Sequence, residues 1–376
     1  MTPSKILRVM HVTAPARFGG LEQVVEQLAS GRASRGAPTA VLALLGPDEP
    51  APLLAGAVRA AGVDVIEVRT PPRAYLLARA EAVRGAAQWG AQVLHTHGYL
   101  PDVLLGSFRH RVKVALVSTA HGFTGGGLKN RVFEWLQVRT WRRFDRVIAV
   151  SRPLAARLRA RGIPERILSE LPSAWSGRRP RFDRVEARVI LGLPATGPVL
   201  GWAGRLSHEK GPDVILRALA MMPEPRPVLA MLGTGRLGPE LENLAAGLGI
   251  ADRVRWLGAV PGAADLFPAF DLLVLSSRTE GTPMVVLEAM AAMVPVVATR
   301  VGGVPDMIDG GAGVLVPADH PPALARALVA TLADPEAAQL ARTAFERLET
   351  RFSPARWLAA QERIYELAVA AALVRR

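Results

Sequence analysis

Cysteine is absent from the 376 residues, which removes disulfides, thiolate metal sites and a cysteine nucleophile from consideration. The redox compartment is left open. Aromatic residues make up only 5%, too few for a surface built on stacked bases. No apolar run approaches the length that crosses a bilayer, and the stretch from Met1 to Met10 is too short for a signal peptide, so a cytoplasmic chain is expected. There is no Asp-x-Asp pair, and the 7 histidines show no zinc-type spacing, so neither a metal nor a cofactor is expected.

What is present suits two domains of ordinary size, each able to bury a core, since half of the residues are apolar. The net charge of +13 is unevenly placed: residues 1 to 175 hold 24 Lys and Arg against 12 Asp and Glu, and the remainder 22 against 21. The excess peaks between Lys129 and Arg166, where Arg131, Arg139, Arg142, Arg143, Arg146, Arg152, Arg157, Arg159 and Arg161 meet only Glu134, Asp145 and Glu165. Such a face suits anionic lipid headgroups, a lipid diphosphate or nucleic acid, and equally a solvated surface in an arginine-rich chain.

Short apolar strands alternate with helical stretches: Ile6 to Met10, Thr39 to Leu44, Val63 to Val68, Val93 to His95, Val112 to Thr119 and Val147 to Val150. Gly20 to Ser30 carries Leu21, Val24, Val25 and Leu28 on one helical face. A second series has strands at Val199 to Ala203, Val228 to Leu232, Val254 to Leu257, Leu272 to Leu275, Pro295 to Thr299 and Val314 to Val316. This predicts an α/β protein of two doubly wound parallel sheets facing a central cleft. The domains expected are 1–172, a linker at 173–182, a second domain at 183–353, and a helix at 354–376 that packs back on the first.

Three clusters carry chemistry. Glu280 and Glu288 bracket a turn and a helix start after Leu272 to Leu275, with Pro283 suited to the first helical turn. Gly204 to Gly211 follows another strand and holds Arg205 and Lys210, two cations at a glycine turn that suit a diphosphate. Gly19 and Gly20 follow the first strand and form either a phosphate-approaching turn, with unusual dihedrals, or an ordinary strand-to-helix turn. His121 ends a strand and is followed by glycine; it faces the cleft or is structural. Of His95 and His97, one is expected to line an acceptor side and the other to pack inward, with His11 a weaker candidate. Gly233-Thr234-Gly235-Arg236-Leu237-Gly238 has the form of the dinucleotide fingerprint, with Asp252 downstream; beside the cation pair it reads as a glycine turn near a nucleotide rather than an NAD site.

In the second half, Gly204-Arg205-Leu206, Glu209-Lys210-Gly211, Glu280 to Glu288, Pro295 to Thr299 and Gly302-Gly303-Val304-Pro305 stand in this order. In the first, Gly19-Gly20-Leu21-Glu22, His95-Thr96-His97-Gly98, His121-Gly122-Phe123 and Val150-Ser151 do so. The combination resembles the retaining, GT-B-fold glycosyltransferases of family 4, over nearly the whole chain. The resemblance implies a nucleotide diphosphate sugar as donor, with Arg205 and Lys210 on the diphosphate and Glu288 on the ribose hydroxyls. Glu280 and His121 would stand at the transferred sugar. Gly19, Gly20, Gly233, Gly281, Thr282, Met284 and Val285 complete the implied donor site, and His95 and His97 are candidates on the acceptor side. The acceptor expected is a hydroxyl on a saccharide, lipid-linked in envelope or exopolysaccharide synthesis, with the basic face at an anionic membrane surface.

Three positions depart from the pattern. Ser173-Ala174-Trp175-Ser176 replaces a usual Asn-Gly-Val-Asp, Met293 stands where glycine is usual and would crowd its turn, and Pro283 offers no N–H. Sugar epimerases and phosphorylases share the architecture and stay open as alternatives. A basic nucleic-acid-binding protein is the alternative of another class; the low aromatic content argues against it, and no nucleic acid is expected.

Overall fold

The computed structural model describes residues 6–15, 19–107, 109, 114–123 and 128–375. Met1 to Lys5, Val112 and the side chain of Lys129, which entered the expectations above, lie outside them. The chain divides into two compact units, one of residues 1–174 with 354–376 and one of 175–353.

In the first unit β1 (Val9–Thr13), α1 (Gly20–Ala33), β2 (Thr39–Leu45), α2 (Leu53–Ala60), β3 (Asp64–Arg69), α3 (Tyr75–Trp89) and β4 (Val93–His97) alternate. Next come α4 (Tyr99–Gly106), β5 (Ala115–Ala120), α5 (Leu128–Trp141), β6 (Arg146–Ala149), α6 (Arg152–Ala160) and β7 (Leu168–Glu170). The seven strands are parallel, in the order β3-β2-β1-β4-β5-β6-β7. Leu42, Leu94 and Leu116 back one face onto Trp141 and Phe144; Val9, Val93 and Val117 back the other onto Tyr365. Each such buried side chain contributes about 1.5–3 kcal/mol.

The second unit runs α7 (Arg184–Ile190), β8 (Val199–Ala203), α8 (Pro212–Ala220), β9 (Val228–Leu232), α9 (Gly238–Gly247), β10 (Val254–Gly258) and β11 (Leu272–Leu275). It continues through α10 (Met284–Ala291), β12 (Val296–Thr299), α11 (Val304–Ile308), β13 (Val314–Val316), α12 (Pro321–Ala333) and α13 (Ala337–Arg351). Its parallel order is β10-β9-β8-β11-β12-β13. Helix α14 (Pro354–Val374) returns to the first unit, where Tyr365 is fully buried and Glu362 pairs with the buried Arg32 of α1.

Several strand limits differ from those expected. β1 starts at Val9 rather than Ile6 and runs on to Thr13; β4 continues through Thr96 to His97. Polar residues at these strand ends hide the continuation, because burial on a parallel sheet does not require them to be apolar once they are hydrogen-bonded. β7 was not foreseen, since Leu168-Ser169-Glu170 offers one apolar residue. The expected linker is anchored in part: Trp175 meets the Phe345 ring edge-on at 6.2 Å, and the Arg179 guanidinium lies 3.9 Å from that ring's centre.

Candidate functional site

Both sheets reverse their winding next to the first strand of the unit, at β1/β4 and at β8/β11. Loops at the carboxyl ends of such strands are where open α/β sheets place ligands.

In the second unit those loops are 204–211 and 276–283. The Lys210 ammonium donates to both Glu280 carboxylate oxygens, at 2.7 and 2.9 Å, and Ser277 Oγ donates to Glu280 Oε1 at 2.6 Å. Glu280 is nearly buried, with 5% of its side chain exposed against 31% for Lys210. Arg278 welds the two loops: it donates to both oxygens of Asp213 (2.9 and 2.8 Å) and to the His208 carbonyl (2.7 Å), and its N–H bonds the Glu209 carbonyl. The hydrogen bonds that Arg278 donates to Asp213 first, and then to Asp319, raise its pKa above its ordinary value. Ser276 Oγ accepts from Trp202 Nε1 at 3.0 Å and donates to the Gly211 carbonyl at 2.7 Å.

Glycines let these loops close on one another. A Cβ on Gly302, whose φ is +51°, would stand 1.8 Å from the Glu280 carbonyl oxygen, and Gly303 N–H bonds the Gly281 carbonyl. One on Gly233, at φ +135°, would stand 1.8 Å from the Gly204 carbonyl oxygen. The fingerprint-like run therefore fits against the cation loop; its glycines answer a backbone contact inside the unit. Met293 has φ +58°, so the residue that departs from glycine does hold a left-handed turn.

Arg205 stands apart: 59% of its side chain is exposed, and it pairs with Glu209 at 3.8 Å. Pro283 is the N-cap of α10, one position before the first turn. The N–H groups of Met284 and Val285 are thus first-turn donors with no intrahelical acceptor. Glu288 lies half-buried in the next turn, and Gly281 and Thr282 lead into the helix.

In the first unit the equivalent sheet end is built from neutral rings. Register places His11 beside His95 and Thr13 beside His97, so His11, His95 and His97 share one face. His97 shares hydrogen bonds with His11 (Nε2 to Nδ1, 3.1 Å) and His121 (Nδ1 to Nε2, 3.4 Å). His95 uses both nitrogens, on the Tyr365 hydroxyl and Thr119 Oγ1, each at 2.8 Å. This corrects the expected division between His95 and His97: both are buried, at 0% and 1%, and neither lines an acceptor surface, because residues two apart on a strand point the same way. Burial first, and then neighbouring imidazoles, hold His11, His95 and His97 well below the usual imidazole range; burial lowers His121 to about 4. His121 is only half-buried, so solvent screening trims its shift.

Ring nitrogens of His11, His95 and His97 lie within 4.8 Å of one another, a proximity that sequence spacing did not show. A cation there would displace the bonds to Tyr365 and Thr119. It would also sit near Arg32, whose charge already disfavours protonating His11 and His95. The group fits a hydrogen-bonded neutral network better than a metal. Gly19 is extended, at φ 175°, and Gly20 is the first residue of α1, so the unusual dihedrals expected of this turn are not present at either. Gly19 lets the Glu22 carboxylate come close, where a Cβ would stand 2.4 Å from Oε2.

Two family models match the chain: a glycosyl transferase 4-like domain over residues 19–172, and glycosyl transferases group 1 over residues 197–334. The chain belongs to the glycosyl transferases group 1. It is similar to the lipopolysaccharide core biosynthesis mannosyltransferase LpsB of Rhizobium meliloti, 33% identical over 60% of this chain and 66% of that protein. It is similar also to a D-inositol 3-phosphate glycosyltransferase of Geodermatophilus obscurus, 36% identical over 64% of this chain and 59% of that one. The chain thus spans less than two thirds of these relatives. Among solved structures, Anabaena HepE in complex with UDP-glucose superposes with a TM-score of 0.81 at 22% identity, covering 96% of this chain and 98% of that one. The two units are those of the GT-B fold.

Within this glycosyl transferases group 1 chain, Arg278, Ser277 and Asp213 were missed by sequence reasoning because each acts across 65 or more residues or through a loop contact. Asp102 was missed as well. Wholly buried in the first turn of α4, it accepts from Ser118 (2.7 Å), Gln137 (2.7 Å), Trp141 Nε1 (3.0 Å) and Thr96. Burial pushes its pKa up to about 6 against those four donors.

Proposed function

We propose that the chain transfers a hexosyl group, with retention, from a nucleotide diphosphate sugar to a hydroxyl on a lipid-linked saccharide. The setting is envelope or exopolysaccharide synthesis at an anionic membrane surface, without a metal or cofactor. The Lys210–Glu280 pair at the switch point of the second sheet carries this reading. When the bond from sugar C1 to the β-phosphate oxygen breaks, its electron pair goes to the diphosphate. Lys210 and the first-turn N–H groups of Met284 and Val285 offset that charge, and they do so most in the transition state. The acceptor oxygen forms the new bond to C1 on the face that the phosphate leaves, and its proton passes to the departing phosphate oxygen.

In the resting site Glu280 neutralises Lys210; an arriving diphosphate takes the ammonium over and leaves Glu280 to the sugar hydroxyls. Arg205, already exposed, reaches the outer phosphate, and Glu288 the ribose. The relatives' names, a lipopolysaccharide core enzyme and an inositol 3-phosphate enzyme, support an anionic or lipid-borne acceptor without choosing between them. Among the described residues no helix is long and apolar enough to cross a membrane, so contact with lipid would be peripheral.

Lys210→Ala and Glu280→Gln should each lower transfer at least about 100-fold, as loss of a charge-stabilising group does, with the far-UV spectrum unchanged. Full transfer by either variant removes the assignment. Turnover of the nucleotide sugar without an acceptor would instead mark an epimerase.

A further inference from the structure

On the first unit a cavity of about 680 Å³ opens between α5 and α6, lined by Arg131, Arg139, Arg142, Arg157, Arg161 and Glu134, with Trp135 at its lip. Five guanidinium groups face one carboxylate. Glu134 reaches Arg157 and Arg161 only at 3.4 Å, and among the described residues no carboxylate pairs with Arg131, Arg139 or Arg142. Arg157 and Arg161 are pre-set: both lie over the Phe123 ring, at 4.3 and 4.6 Å from its centre. Arg142 is fixed to the Arg161 carbonyl at 2.7 Å. A planar fork held in place loses little entropy on taking a phosphate, and several together suit oxygens of high charge density.

The mouth is partly apolar. Trp135 and Val138 line it, Trp135 is 59% exposed, and Val132 one turn earlier on α5 is 54% exposed. An exposed tryptophan with an aliphatic neighbour gains nothing from a nucleic-acid backbone, whereas indole, valine and arginine together match the boundary between headgroups and acyl chains.

We propose that this face docks on a bilayer of anionic phospholipid, the arginine cavity taking the headgroup phosphates while the Trp135 rim enters the acyl boundary. The inference rests on the lipid-linked acceptor reading and locates the surface that would serve it. Docked in this way, the chain meets a membrane-borne acceptor by diffusion in two dimensions, with Phe123 linking the cavity floor to the strand end that carries His121.

Vesicle co-sedimentation of the full chain tests it. Phosphatidylglycerol vesicles should bind the chain at low salt and release it at high salt, and phosphatidylcholine vesicles should leave it in solution. Arg131→Glu with Arg139→Glu should weaken sedimentation about tenfold or more, because neither side chain has a carboxylate partner among the described residues and Arg139 gives up only its place 5.7 Å from the centre of the exposed Trp135 ring, and Trp135→Ser should weaken it several-fold. Equal binding to neutral vesicles, or wild-type binding by the double variant, overturns the proposal. So does inorganic pyrophosphate binding by calorimetry that is as tight as the vesicles' and is lost in the double variant, which marks a soluble-anion site in the cavity, or duplex DNA binding more tightly than either. Thermal shift with nucleotide diphosphate sugars, read in the same double variant, separates the two claims. A donor shift retained with sedimentation lost supports both; vesicle binding without any donor shift sinks the transferase reading and leaves the docking face standing.

Discussion

The two sheets wind alike about their first strands, yet the ends that the switch points expose are built from opposite chemistries. In the second unit a Lys–Glu pair sits on loops pressed together by glycine and braced by Arg278. In the first, four histidines run in from His121 to Tyr365 as neutral rings, each partnered by another ring, a hydroxyl or a threonine. Topology therefore decides where a site lies, and the side chains decide whether it meets charge or holds shape.

The sharpest way to break this contrast is Gly302→Ala. The added Cβ cannot coexist with the Glu280 carbonyl at 1.8 Å, so the Glu280 loop must move. More than about 4 kcal/mol of stability should be lost in urea unfolding. A loss below about 1 kcal/mol would mean that the loops are not clamped as described.

Acid comes next, and it should strike the first unit. His11, His95, His97 and His121 all have pKa values below 6.5 in the folded state. A depressed pKa gives stability that is full above 6.5 and is lost as pH falls toward the folded value, which for His121 is about 4. Asp102 works the other way: its raised pKa favours the folded state below 3.8 and loses that as pH rises through about 6. One carboxyl does not outweigh four imidazoles, so the melting temperature should fall steadily from pH 6.5 to pH 4. A flat profile over that range would contradict the neutral network.

Tyr365→Phe is milder. It leaves His95 Nδ1 buried without its 2.8 Å partner and should cost about 1–3 kcal/mol by urea unfolding, with donor binding in the second unit unchanged. Gly19→Ala should have the smallest effect, under about 1 kcal/mol by the same measurement, because extended backbone accepts alanine and the Glu22 carboxylate can swing aside. That last pair of glycines makes the comparison quantitative: one answers a backbone contact, the other a movable side chain.

Much of the fold was legible. In the second unit β8, β9, β11 and β13 fall at the limits expected, since each is a short apolar run ended by glycine or a polar turn. In the first unit the limits drifted where strands end in histidine and threonine. Lys210, Glu280 and the start of α10 could be seen in the sequence because charge and proline stand at fixed offsets from a strand. The histidine network could not, because it needs the register of β1 on β4 and the return of α14. Arg278 gave no signal either: its partners, Asp213 and Asp319, are set by loop closure rather than by spacing.

Helix α14 brings Tyr365 and Glu362 to a sheet woven from the first half of the chain, while the second unit is one uninterrupted stretch. In chain order, every residue of the second unit precedes the helix that closes the first, so the earlier sheet takes its last partner from chain that follows a whole later unit.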